Sequence, residues 1–170
     1  KILNIRKKNF SKNLKINFNQ ILKILKKKKI NGKSIGGYYP YNYEVDVIQI
    51  LDKFEKKNYL VSLPRIKSNY RMDFFSWSIN DPLKINKYGI PEPISKMIEY
   101  PSIILVPLVA FDKDLNRIGY GSGFYDRYIK KIKKRKKITT IGLAFSFQKV
   151  KRIPINEKDM KLDFIITEKI

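Results

Sequence analysis

Residues 103–131 read IILVPLVAFDKDLNRIGYGSGFYDRYIKK, and the order of residue types in this stretch decides which fold the chain adopts. It opens on Ile103, Ile104, Leu105 and Val106, breaks at Pro107, stays apolar to Phe111 and turns polar at Asp112, Asp114 and Asn116. A short β-branched run bounded by turn residues predicts a buried strand, a turn and a return. Glycines then take alternate positions, Gly119, Gly121 and Gly123, and Phe124, Tyr125, Asp126 and Arg127 follow at once. Lacking Cβ atoms, such a loop lets successive backbone N–H groups converge and a ligand come close. Phe124, Tyr128 and Ile132 fall four apart and predict the buried face of a helix, with Lys130, Lys131, Lys133 and Lys134 largely on its wet side. The loop thus feeds a helix N-terminus, whose unpaired amides and dipole favour an anion such as phosphate.

The loop is not a Walker loop, since no Gly-Lys-Ser/Thr follows, and its spacing is not the dinucleotide GxGxxG. A glycine-rich β-turn without a ligand shares the bare pattern. Arg117, two residues before the first glycine, and Asp126, three after the last, add chemistry to it. An arginine neutralises phosphate through paired hydrogen bonds, and a carboxylate beside a phosphate site holds Mg²⁺. Taken singly, Arg117 reads as a solvated turn residue and Asp126 as a helix-dipole partner; with the glycines they form one constellation.

Composition limits the chemistry. The chain of 170 residues has no cysteine and no histidine, which excludes disulfides, thiolate metal sites, a Cys nucleophile and the commonest general base. Carboxylates, Lys, Arg, Tyr, backbone amides and a hard metal remain. The net charge of +22 invites a nucleic-acid reading. Most of that charge is lysine, against only seven arginines: Arg6, Arg65, Arg71, Arg117, Arg127, Arg135 and Arg152. The lysines, rich alongside Ile and Asn, read as solvated surface, and the arginines stand out because a planar fork does what an ammonium cannot. No apolar run approaches the ~20 residues that span a bilayer, and no signal-peptide pattern opens the chain. The expectation is a soluble, cytoplasmic monomer.

Taken in order, residues 1–10 read as a frayed basic tail. Leu14, Phe18, Ile21, Leu22 and Leu25 predict an amphipathic helix over 14–25, stopped by Asn31 and Gly32. A strand over 34–39, a helix over 44–57 and a strand over 59–63 closed by Pro64 make a βαβ unit, which predicts a parallel sheet. Residues 69–77 read as an aromatic-rich strand, 81–93 as a Pro- and Gly-punctuated loop, and 138–145 and 163–167 as the last strands. Neither a repeat nor an inner boundary appears, so residues 1–170 are expected to form one α/β domain. Ligands of such sheets sit beyond the carboxyl ends of the strands, here residues 40–44, Arg65, residues 117–126, and Gln148 with the tract to Asp159.

The run VPLVAFDKDLNRIGYGSGFYDRYI resembles the signature of the 5-formyltetrahydrofolate cyclo-ligase family, also called 5,10-methenyltetrahydrofolate synthetase. The chain is similar to that family also at YYPYNYEVD, at LPR (63–65), around Met72 to Phe74, at GIPEP (89–93), at GLAFSFQ and at KDMKLDFIITE, in the family's order. The resemblance implies a three-layer α/β/α sandwich with a mostly parallel central sheet. It also implies an ATP-dependent, Mg²⁺-requiring closure of 5-formyltetrahydrofolate to 5,10-methenyltetrahydrofolate.

Carried over by position, the resemblance implies that Arg117, Ile118, Gly119, Tyr120, Gly121, Ser122, Gly123, Phe124 and Tyr125 hold ATP, with Tyr120 to Phe124 also facing the folate. Asp126 and Asp159 would hold Mg²⁺, and Arg117, Tyr125 and Asp126 would serve catalysis. Glu44 would bind the pterin with Tyr39 beside it, and Tyr88 would stack on the folate ring. Arg6 matches the arginine of an N-terminal Lys-x-x-x-Arg element that meets ATP, while Ile2 stands at the lysine position. Tyr120 and Ser122 occupy positions that are often basic in the family. Two other classes compete: a basic nucleic-acid-binding module using Tyr38, Tyr39, Tyr41 and Tyr43, and a nucleotide-binding α/β domain without catalysis.

Overall fold

The computed structural model describes residues 2–11 and 14–169; Lys1, at the head of the expected tail, and Ile170 lie outside the described residues. The first half runs α1 (Ile2–Asn9), α2 (Phe18–Lys27), β1 (Ser34–Gly36), α3 (Ile48–Glu55), β2 (Leu60–Ile66), β3 (Met72–Ser76), β4 (Leu83–Ile85), β5 (Pro91–Pro93) and β6 (Ile98–Glu99). The second half runs β7 (Ile103–Pro107), β8 (Ala110–Phe111), β9 (Arg117–Ile118), α4 (Phe124–Lys133), β10 (Thr139–Leu143), a 3₁₀ turn (Ser146–Gln148) and β11 (Phe164–Ile166).

β7 is the spine, as its continuous apolar run foretells. Ile103, Ile104, Leu105 and Val106 are all fully buried, because successive side chains point to opposite faces and both faces are covered. Ile103 and Leu105 join the core under α2 and α3, with Phe18, Ile21, Leu51 and Phe54. Ile104 and Val106 join the core under α4, with Tyr128, Ile129 and Ile132. The protein is therefore a three-layer α/β/α sandwich, as expected. Among the described residues seven strands form the central sheet in the order β11-β10-β7-β1-β2-β3-β6. β11, β10, β7, β1 and β2 are parallel, β3 runs against them, and β6, antiparallel to β3, runs with them again at the edge. β2 lies on one side of β1 and β7 on the other, so strand order reverses there, and the crevice beyond that reversal is where open α/β sheets bind ligands.

Several local expectations shift. Residues 2–9 are a helix, not a frayed tail, and Arg6 within it is fully buried. α2 begins at Phe18 rather than Leu14 because the Asn17 side chain accepts a hydrogen bond from the Asn19 amide at 2.9 Å, a preferred N-cap. α3 begins at Ile48, whose amide donates to Asp46 Oδ1 at 2.9 Å, which leaves Glu44 ahead of the helix. Pro64 does not close β2. It lies past Ser62, the last residue paired with β1, and opposite Phe74 of β3, so the missing amide costs no bond to β1. Residues 81–93 are not a plain loop but carry the β4–β5 hairpin, paired from Leu83 with Pro93 to Ile85 with Pro91.

Candidate active site

A cavity of about 630 Å³ opens at the strand-order reversal. Tyr38 and Tyr39 follow β1, Pro64 and Ile66 end β2, Pro107 ends β7, and the glycine loop with the start of α4 forms the opposite wall. Of the residues singled out from sequence, Tyr39, Glu44, Tyr88, Arg117, Ile118, Gly119, Tyr120, Gly121, Ser122, Gly123, Phe124, Tyr125, Asp126 and Asp159 all line it. Arg6 does not. Arg65 and Gln148, expected at the crevice, also lie outside its wall. The Gln148 amide is spent on the carbonyls of Leu108 and Val109 at 2.9 and 3.0 Å. Asn86, Ile90 and Met72 line the cavity without having been expected there; a turn signal at Asn86 to Gly89 was present, but nothing local says which way a hairpin leans.

The turn after β8 sets Arg117 in place. Asp112, buried, accepts hydrogen bonds from the amides of Asp114, Asn116 and Ile153 and from the Asn116 side chain, all at 2.9 to 3.1 Å. Burial raises its pKa, but these donors outweigh that and hold it below the usual carboxylate value. Arg117 follows on β9 with its side chain 5% exposed, and its Nη2 donates to Asp126 Oδ1 at 2.9 Å. The same oxygen accepts from the Met160 amide at 3.0 Å. The buried Arg117 Nε and the Tyr125 hydroxyl have no partner among the described residues, so each retains a donor. A Cβ on Gly119 would sit 3.1 Å from Arg117 Nη1, which explains why the loop passes so close to the guanidinium there.

Gly123 caps α4 with φ 64° and no side-chain cap, so the first amides of that helix open toward the cavity that residues 123–126 line. Gly121, at φ 89°, adds a second left-handed turn. The helix start and Arg117 together bring backbone amides and one guanidinium to the same cavity, a donor set whose charge suits an anion. Asp126 and Asp159 share this cavity, and no cluster of three or more metal-binding side chains exists among the described residues. That donor set fits Mg²⁺, which keeps its waters and takes one or two carboxylates with substrate phosphate oxygens.

The floor of the cavity is ionisable. Glu44 is 6% exposed, and its Oε2 accepts from the Tyr41 amide at 2.9 Å. Burial pushes its pKa up to about 7, against the Tyr41 amide, Arg6 and Tyr120, which pull the other way. Arg6 lies behind: its Nη1 donates to the Leu108 carbonyl at 3.2 Å, its Nη2 donates to the Tyr120 hydroxyl, and its Nε is unpartnered. The Tyr120 ring meets Tyr41 at 6.0 Å, edge to face. Burial also raises the Tyr125 and Tyr38 hydroxyls well above the ordinary phenol value, so both stay protonated. Tyr38 donates to the Val45 carbonyl at 3.1 Å; Tyr38, Tyr39 and Tyr41 line the cavity, whereas Tyr43 lies outside its wall and is exposed. No helix among the described residues is long and apolar enough to cross a membrane.

Comparison with known proteins places these features in a lineage. The sequence profile of the 5-formyltetrahydrofolate cyclo-ligase family matches residues 6–168. The 5-formyltetrahydrofolate cyclo-ligase of Haemophilus influenzae is 31% identical over 137 residues, 76% of this chain and 73% of that protein. The mouse protein of the same name is 28% identical over 152 residues, 81% of this chain and 74% of that one. A solved 5,10-methenyltetrahydrofolate synthetase from Mycoplasma pneumoniae superposes with a TM-score of 0.74 at 27% identity, covering 99% of this chain and 94% of that one. Fold, profile and relatives agree, and the chain belongs to the 5-formyltetrahydrofolate cyclo-ligase family.

Proposed function

We propose that this protein is a ligase that closes 5-formyltetrahydrofolate to 5,10-methenyltetrahydrofolate at the expense of ATP, releasing ADP and phosphate. The observation that carries the reading is one cavity joining an open helix start, the Arg117–Asp126 pair and a buried, protonatable Glu44. The chemistry suits a chain without His or Cys, because phosphoryl transfer needs positioning and charge neutralisation more than covalent help. In this reading the amides at residues 121–126 seat the ATP phosphates, and the Arg117 guanidinium offsets charge that builds on the transferring group. Asp126 and Asp159 would hold Mg²⁺, which when bound neutralises phosphate oxygens. The N5-formyl oxygen attacks the γ-phosphorus while the bond to ADP breaks, giving an imidate phosphate. N10 then bonds to the activated carbon, its proton passes to solvent, and phosphate departs with the C–O bond pair. Glu44, protonated near neutrality, both donates to and accepts from the pterin ring, while Tyr39 and Tyr88 supply apolar walls. Its test is incubation with 5-formyltetrahydrofolate, Mg²⁺ and ATP, following the near-ultraviolet absorbance of the methenyl product. A rise that requires ATP supports the reading; nucleotide binding without a rise would leave a non-catalytic domain in its place.

A further inference from the structure

The site described so far gives no role to Arg65 of LPR (63–65) or Glu92 of GIPEP (89–93), yet the structure joins them. Arg65 leaves β2 with its guanidinium 4.0 Å over the Phe75 ring. Its Nε donates to the Pro93 carbonyl at 3.1 Å, and its Nη2 donates to the Ser95 carbonyl at 2.6 Å and to Pro93 again. Glu92 sits 3.9 Å from Arg65 Nε, and the two side chains are 7% and 17% exposed, so this pairing is an interior one between the sheet and the hairpin. Glu92 in turn receives the Asn86 side-chain amide at 3.3 Å. Asn86 Oδ1 accepts from the amides of Tyr88 and Ile90 at 2.9 and 3.1 Å, which fixes the tip of the hairpin. Asn86, Tyr88 and Ile90 are the hairpin's contribution to the cavity wall.

We propose that Arg65 and Glu92 are positioning residues that set the β4–β5 hairpin, and through Asn86 the ring of Tyr88, against the folate side of the cavity. The proposal rests on the reading of the cavity as a folate site. Its physical content is a relay of contacts from a rigid strand to an exposed tip: Arg65 hydrogen-bonds the Pro93 and Ser95 carbonyls and pairs with Glu92 at 3.9 Å, Lys84 of the hairpin pairs with Glu92 at 3.5 Å, and Glu92 accepts from Asn86. The hairpin is two three-residue strands with prolines at both ends of β5, too few ladder bonds to hold an orientation alone. A planar fork reaching two carbonyls and one carboxylate supplies the missing constraint, and a lysine's single ammonium does not reproduce it. Because the phosphate-facing loop is held separately, by Asp112 and by the cap at Gly123, loss of the relay loosens one substrate and not the other.

The test uses Arg65→Lys, Glu92→Ala and the milder Glu92→Gln in the full chain. Losing charge-assisted bonds of this kind raises KM for 5-formyltetrahydrofolate about tenfold in the first two, while kcat and KM for ATP stay within about twofold. Glu92→Gln, which keeps an acceptor for Asn86, falls between them and the parent. Independently of turnover, trypsin cuts after Lys84 and Lys87 about tenfold faster in the variants, because the exposed hairpin opens more often. Three results overturn the proposal: unchanged folate KM with faster cutting, an equal loss in kcat and in both KM values, or unchanged cutting. If the parent protein turned over no 5-formyltetrahydrofolate, the reading of the site would fall instead, and the tryptic comparison would still decide whether this pair holds the hairpin.

Discussion

Glu44→Gln offers a measurement that isolates one buried charge. Glu44 has its pKa raised from 4.5 to about 7 by burial, so the folded chain holds this proton more tightly than the unfolded chain. The contribution to stability is then fully present below the unfolded value of 4.5 and is lost as pH rises through about 7. At roughly 1.4 kcal/mol per pKa unit, ionising Glu44 in place costs the folded state about 3 kcal/mol once pH exceeds its folded value. Glutamine keeps the shape and the oxygen that accepts from the Tyr41 amide, but never ionises. Urea unfolding of both proteins should therefore show a stability difference that moves in favour of the Glu44→Gln variant by about 2 to 3 kcal/mol between pH 5 and pH 8. Titration of the surface charges is common to both proteins and cancels in the difference. A difference that stays flat across that range would refute the assignment of a protonated Glu44, and with it the donor proposed for the pterin.

Three further outcomes follow from the same geometry. Arg117→Ala and Asp126→Asn should lower kcat/KM by about 10²-fold or more while leaving far-ultraviolet circular dichroism unchanged, since in the proposed reading the first removes a cation that offsets phosphoryl charge and the second a carboxylate that would hold Mg²⁺. Gly123→Ala should cost about 1 to 2 kcal/mol in thermal unfolding and raise KM for ATP, because φ at 64° disfavours a side chain and the new methyl would lie 2.8 Å from Arg127 Nη1. Tyr120→Phe should destabilise by about 1 to 3 kcal/mol in urea, because it takes an acceptor from the buried Arg6 guanidinium.

The glycine loop was readable before the structure because a left-handed turn shows directly in residue type: Gly121 and Gly123 stand where φ is positive. β7 was readable because four apolar residues in a row need cover on both faces. α1 was not, since Ile2, Leu3 and Ile5 form a weak stripe and the reason for order is Arg6 reaching residues far along the chain. β2 continued past a proline because its register ends against β1 first, a fact that belongs to the neighbour. The hairpin was hidden for the same reason: β5 reads PEP, and it becomes a strand only through its pairing with β4 and the hold of Arg65 on its carbonyls. At the site, residue types pointed to an anion-binding loop, and those residues do share one cavity, whereas the burial that raises the pKa of Glu44 could be known only from packing.

The Arg6 socket also sets an order of events during synthesis. Its two partners, Leu108 and Tyr120, lie 102 and 114 residues downstream, so α1 leaves the ribosome long before either exists. The N-terminal segment must wait, cationic and undocked, until the glycine loop has emerged, and contacts of such separation are slow to close. The Arg6 socket behind the pocket is thus completed late, and a translation product ending before residue 108 lacks both of these partners for its arginine.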